Sequence, residues 1–122
     1  MPPGSHITLV STSLLTTSQV PPDKLLYCST KGAVEQMTRL LGKDLGRRGI
    51  AVNCMAPGPT ATELFYKGKS EQLIKTIAGF SPYKRIGTPE ETAEVLLFLS
   101  GKPSSWISGQ VLRVNGGSAY ID

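Results

Sequence analysis

A chain of 122 residues with 39% hydrophobic and 18% charged side chains can build one domain with a real core, and its composition excludes a disordered segment. No apolar run approaches the roughly 18 residues a membrane helix needs, and the start, MPPGSHITLV, lacks the basic stretch and long apolar core of a secretory signal. The net charge of +4 is spread over residues such as Arg47, Arg48, Lys67, Lys69, Lys75, Lys84 and Arg85; without a dense basic stripe it implies attraction for an anionic cofactor, not nucleic-acid binding.

His6-Ile7-Thr8-Leu9-Val10 is a β-rich run between Pro2-Pro3-Gly4-Ser5 and a Ser/Thr cluster, and predicts a strand with His6 at its surface start. Ser11 to Asp23 is polar, ends in Pro21-Pro22 and reads as a loop. Leu26, Ala33, Val34, Met37, Leu40, Leu41 and Leu45 recur at helical spacing, so a helix is expected from Lys24 to Arg48, ended by Gly49. Ile50 to Met55 is a second strand, stopped by Pro57-Gly58-Pro59. Thr60 to Pro82 reads as an excursion of one or two short helices, with Leu64, Phe65, Leu73, Ile74 and Ile77 as their apolar side. Thr88-Pro89-Glu90-Glu91 carries a capping box and a first-turn proline, which predicts a helix running to Gly101. Gly109 to Val114 is a third strand, closed by a turn at Asn115-Gly116-Gly117.

Strand, helix, strand, helical excursion, helix, strand is the order of a parallel sheet with crossover helices, an α/β fold. Parallel sheets are buried on both faces, which fits the unalternating strands. Ligands bind beyond the carboxyl ends of such strands. Three segments lie there: Ser11-Thr12-Ser13, Pro57 to Thr62, and Asn115-Gly116-Gly117.

Tyr27 and Lys31 are four apart, on one helical face, and of the four tyrosines only Tyr27 has such a partner; Tyr66, Tyr83 and Tyr120 do not. An ammonium at that distance can favour the phenolate and lower the phenol's pKa, which suits proton exchange with an alcohol or a carbonyl. On most helices the pair would only be solvated. Here it opens the helix after the first strand, on the rim where ligands bind. Cys28 and Cys54 lack C-x-x-C spacing and His6 is the one histidine, so no zinc set exists and a reduced, cytoplasmic protein is expected. Cys28 reads as helix packing, Trp106 as local packing near the last strand, and Tyr66 as a half-buried aromatic of the excursion.

The stretch YCSTKGAVEQMTRLLGKDLGRRGIAVNCMAPGPTATEL resembles the active-site helix, following strand and cofactor loop of short-chain dehydrogenases/reductases. RIGTPEETAEVLLFLSGKPSSWISGQVLRVNGG is similar to the same family's last helix and strand. Together with N-x-x-x-P-G at Asn53 to Gly58, the resemblance spans Ser5 to Gly117. It implies an NAD(P)-dependent oxidoreductase that interconverts a carbonyl and a secondary alcohol by hydride transfer, with NADP or NAD as cofactor. Tyr27 would be the acid/base and Lys31 its tuner and a ligand of the nicotinamide ribose. Pro57, Gly58, Thr60 and Thr62 would contact the nicotinamide end, and Leu64 to Phe80 would form a variable substrate lid.

The family's substrate-binding hydroxyl, counted back from the tyrosine, falls here on Leu14. Counting from the strand points to Ser11 or Thr12, and counting from Tyr27 points to Ser13; Ser13 is preferred, with Thr12 next. No Gly-rich phosphate loop occurs, and Gly116-Gly117 reads as a turn. The expectation is therefore the C-terminal half of a Rossmann-like doubly wound parallel sheet over residues 1–122, starting at the family's fifth strand. Its first strand would then have a free edge, and the helix carrying Tyr27 and Lys31, a dimerisation surface in this family, would expose apolar side chains. Self-association or marginal stability follows. The competing expectation is a truncated, non-catalytic remnant or interaction module.

Overall fold

The structure, a computed structural model, describes residues 1–119; Tyr120 lies outside them. Three strands, β1 (His6–Val10), β2 (Ala51–Pro57) and β3 (Val111–Val114), form a parallel sheet in the order β1-β2-β3. β2 is central, and its residues from Val52 to Ala56 are buried. The core is built on it: Ile50, Val52, Cys54, Met55 and Ala56, with Leu99 from the last helix. A mostly apolar strand buried on both faces is what a parallel sheet requires.

Register places Val10 beside Met55 at one side of β2, and Pro57 beside Val114 at the other. The β1 ladder ends on the Ser11 N–H bond to the Met55 carbonyl, at 2.8 Å. Pro57 has no N–H to carry it further. On the opposite side Gly58 N–H still donates to the Val114 carbonyl, at 2.9 Å. The strand thus runs through Pro57, two residues beyond the expected end at Met55, because a proline that cannot donate is harmless where the neighbouring strand has already left. That asymmetry frees the chain at Ser11 from the sheet.

Helix α1 spans Leu25–Gly46, and Gly49, at φ 72, turns the chain into β2. α1 packs on the sheet through buried Glu35 and Thr38, while Leu26, Met37 and Leu40 of the apolar set are exposed, as is Leu25. The exposed apolar side expected of this helix is therefore present. Towards its C-terminal end, Gly42 lies against the Ser108-Gly109 turn, where a Cβ would come within 2.8 Å of the Gly109 backbone.

The excursion holds two short helices, α2 (Glu63–Tyr66) and α3 (Glu71–Ala78), capped by the Thr62 and Ser70 hydroxyls. Tyr66 packs edge-on to Phe65 but remains 42% exposed. α4 (Pro89–Leu99) starts at the expected capping box, with Thr88 and Glu91 bonding reciprocally, and stops two residues before Gly101. Gly116 and Gly117, both at positive φ, make the turn after β3. The segment read as a loop, with Lys24 after it, contains two 3-10 turns, Ser13–Thr16 and Pro22–Lys24. Two packing expectations need correction. Trp106 is fully exposed, because the turn after Ser104 carries it away from the core. His6 lies within β1, paired with Ala51, and is half-buried. Among the described residues no helix is long and apolar enough to cross a membrane.

Arg85 forks onto Glu91 at 2.6 and 2.8 Å, and the Thr88 N–H adds a third bond at 2.8 Å. Foremost the Arg85 hydrogen bonds, then the Thr88 N–H, hold the Glu91 carboxyl at about 2 against an ordinary 4.5. A depressed carboxyl stabilises the fold above its unfolded value and loses that contribution as the folded group takes its proton. Stability of the parent should therefore fall between pH 4.5 and about 2, and Glu91→Gln should flatten that part of the curve. Thermal unfolding across the window checks this; parallel curves for the two proteins would contradict it.

Candidate active site at the carboxyl ends of the strands

Tyr27 is the third residue of α1 and is 45% exposed. One turn on, the Lys31 ammonium lies 5.8 Å from the centre of the Tyr27 ring. Lys31 Nζ also donates to the Val10 carbonyl, at 2.9 Å, so the ammonium joins the end of β1 to the phenol-bearing turn. An ammonium has three donors, and this bond uses one of them.

The three hydroxyls after β1 are all buried, and each has a different commitment. Ser11 Oγ donates to Glu35 Oε1 at 3.0 Å and lies 3.4 Å from the Lys31 carbonyl. Ser13 Oγ donates to the Ala56 carbonyl on β2, at 2.9 Å. Thr12 Oγ1 accepts the Leu14 N–H, at 3.3 Å, which caps the turn that follows. A hydroxyl has a single proton to give, so Ser11 and Ser13 spend theirs within the chain, whereas Thr12 is engaged, among the described residues, only as an acceptor.

Pro57 and Gly58 close β2 beside Ser13. Gly58 is required by close approach: a Cβ there would stand 2.6 Å from Asn115 Cβ and 2.9 Å from Asn115 Cα. Thr60 Oγ1 donates to the Gly58 carbonyl at 3.0 Å, and Thr60 pairs with Gly87 in an isolated bridge. Thr62 caps α2 through the Phe65 N–H. Thr60 and Thr62 therefore shape the loop. Tyr27, Lys31 and the Ser11 to Ser13 segment gather at the end of β1, joined to the end of β2 by the Ser13 bond.

A cavity of about 180 Å³ lies further along this rim, lined by Thr60, Tyr83, Arg85, Val114, Asn115 and Gly116 among others. None of Tyr27, Lys31, Thr12 or Ser13 lines it, so the site is defined by the convergence of polar groups and not by this cavity. Cys54 beneath the rim is no nucleophile: burial pushes its thiol up, a bond with Thr38 opposes this, and the charge of Glu35 adds to it. Among the described residues no cluster of His, Cys, Asp and Glu could hold a metal.

Sequence reasoning found Asn53 only as part of a motif. In the structure its Nδ2 donates to the Ile107 carbonyl at 2.8 Å, and its Oδ1 accepts the Gln110 N–H at 3.1 Å. A buried amide thus braces the entry of β3 against β2. Glu35, buried on α1 between Lys31 and Arg39, had no signal in the sequence beyond that of an ordinary polar helix position.

A family model described as enoyl-(acyl carrier protein) reductase matches residues 1–119. An NADPH-dependent aldehyde reductase-like protein from Arabidopsis thaliana is 40% identical over 114 residues, covering 93% of this chain and 42% of its own length. A short-chain type dehydrogenase/reductase from Picea abies is also 40% identical, over 93% of this chain and 41% of its own. Among solved structures, the angucycline C-6 ketoreductase LanV with bound NADP superposes with a TM-score of 0.86 at 32% identity, over 97% of this chain and 45% of that one. A short-chain dehydrogenase/reductase from Serratia marcescens superposes with a TM-score of 0.90 at 26% identity, over 98% and 48%. The chain belongs to the short-chain dehydrogenase/reductase family. It spans less than half the length of each of these relatives.

Proposed function

We propose that this chain carries the proton-transfer site of an NAD(P)-dependent oxidoreductase that interconverts a carbonyl and a secondary alcohol. The observation that carries the reading is Lys31 Nζ, bonded to Val10 and 5.8 Å from the Tyr27 ring, at the carboxyl end of a parallel strand. The relatives' names, NADPH-dependent aldehyde reductase-like protein and ketoreductase with bound NADP, support the same chemistry.

In reduction, the Tyr27 hydroxyl gives its proton to the substrate oxygen, and in oxidation the phenolate takes it back. The Lys31 ammonium stabilises the negative charge that develops on Tyr27. Thr12, whose hydroxyl proton no partner takes among the described residues, is the better donor to the substrate oxygen; Ser13 would first have to leave the Ala56 carbonyl. A nicotinamide, when bound, supplies or accepts the hydride. The residues present fit that end of such a cofactor. Lys31 has donors left for ribose hydroxyls, and Tyr27, Pro57, Gly58, Thr60 and Thr62 would complete its surroundings. The phosphate end has no Gly-rich loop in this sequence to receive it.

The apolar side chains exposed on α1 favour a second reading, an interaction module without turnover by itself. The exposed apolar side of α1 supports self-association through the helix carrying Tyr27 and Lys31. Titration with NADPH and NADH, followed by nicotinamide fluorescence with light scattering on the same sample, separates the readings. Saturable binding in the micromolar range by a species heavier than one 13.0 kDa chain is expected. Self-association without binding of either cofactor would leave the second reading standing.

A further inference from the structure

Glu35 is the one charged residue among the buried side chains described, and it is 6% exposed. It is four residues after Lys31 on α1, and its carboxylate faces three other groups. Oε1 accepts the Ser11 hydroxyl at 3.0 Å. Oε2 lies 3.7 Å from Arg39 of the same helix and 4.0 Å from Arg113 of β3. Arg113 Nε is itself buried and without a hydrogen-bond partner among the described residues, so no other group there takes up that end of its guanidinium.

A buried carboxylate is costly unless charge and hydrogen bonds compensate it. A hydroxyl held by a carboxylate makes a charge-assisted bond, stronger than one between neutral groups. Here the bond grips the first residue after β1, at the point where Pro57 has ended the sheet's own hold. Ser11 follows Val10, whose carbonyl carries the Lys31 ammonium, and precedes Thr12. The Lys31 carbonyl is also within reach of Ser11 Oγ, at 3.4 Å. One short linkage, Glu35 to Ser11, therefore sets how the end of β1 sits against the turn of α1 that bears Tyr27 and Lys31.

We infer that Glu35 is a positioning residue for the proton-transfer site, acting through Ser11 to hold the Val10 carbonyl and Thr12 in register with Lys31 and Tyr27. The inference deepens the proton-transfer reading above and rests on it. Glu35 touches neither substrate nor cofactor; its effect is on placement, to which rates are sensitive at the ångström scale.

The test compares Glu35→Ala, Glu35→Gln, Ser11→Ala and Tyr27→Phe with the parent. Carbon-13 resonances of labelled Lys31 and Tyr27 report the site without need of turnover, and NADPH-linked carbonyl reduction gives kcat and KM. Glu35→Ala and Ser11→Ala should both move the two resonances and lower kcat by roughly tenfold or more. Glu35→Gln keeps an oxygen that accepts from Ser11 and should restore resonances and kcat towards the parent. If Glu35→Ala fails to fold, Ser11→Ala decides, since it removes the same bond with a far smaller change. A folded variant of either kind whose resonances stay in place overturns the inference, as does a glutamine variant no better than alanine. Parent-like turnover by Tyr27→Phe instead overturns the proton-transfer reading, and the resonances alone then judge the linkage.

Discussion

Replacing Tyr27 by phenylalanine is expected to lower kcat for carbonyl reduction by about 10²–10⁴-fold, the range that loss of a positioned general acid covers. The substitution removes a single oxygen from a side chain that is 45% exposed and has no chain partner for its hydroxyl among the hydrogen bonds of the described residues. The fold should not register it, and surface changes of this kind stay within about half a kcal/mol. Cofactor affinity should stay within a few-fold of the parent's. A loss confined to kcat identifies an interaction made in the transition state. A variant that keeps most of its turnover would place the proton donor elsewhere, and Thr12 would be the next candidate.

The second large effect is expected at Gly58, where an alanine methyl would meet Asn115 Cβ at 2.6 Å and Asn115 Cα at 2.9 Å. One of the two chain segments must shift, because the closer contact is to a short side chain and the other to backbone. Overpacking of this order costs about 1–3 kcal/mol. Gly42→Ala is the matched control: its methyl meets the Gly109 backbone at 2.8 Å, on the α1 side of the sheet. Both variants should lose stability in chemical denaturation. Only Gly58→Ala should also weaken NADPH binding, by roughly tenfold, since it moves the loop proposed to face the nicotinamide. Equal affinities in two equally destabilised variants would remove Pro57-Gly58 from the cofactor site.

Much of the scaffold was legible because local signals and packing agree. Thr88-Pro89-Glu90-Glu91 names its own cap, and the structure has the reciprocal bonds. The run of β2, apolar apart from Asn53 and without alternation, announced a strand covered on both faces. The substrate-binding hydroxyl was not legible. Two 3-10 turns lie between Val10 and Leu25, and each such residue advances the chain by about 2.0 Å where a strand residue advances about 3.3 Å. An offset counted along the sequence therefore has no fixed length in space. Where each hydroxyl sends its proton is what distinguishes them, and on that ground Thr12 is proposed ahead of Ser13 as a donor. Glu35 was invisible for a related reason. On a helix with Lys31 and Arg39 one turn to either side, a glutamate reads as part of a solvated ladder. Its burial arises only when β1 brings Ser11, and β3 brings Arg113, to the same spot.

The open side of α1 and the early end of the β1 ladder have opposite meanings for the molecule. Exposed Leu26, Met37 and Leu40 are a surface that another body can cover. The gap after Val10, closed by Lys31, Ser11 and Glu35, is where polar groups are brought in because the sheet no longer supplies partners.

The most direct measurement is deuterium transfer from NADPH labelled on its nicotinamide ring to a carbonyl acceptor, read as mass in the alcohol product, with Tyr27→Phe run beside the parent. Deuterium on the carbinol carbon from the parent, and labelled alcohol formed about 10²–10⁴-fold more slowly by Tyr27→Phe, is the predicted result. No transfer by the parent at saturating NADPH, or equal transfer by both proteins, would contradict a proton-transfer site at Tyr27 and Lys31.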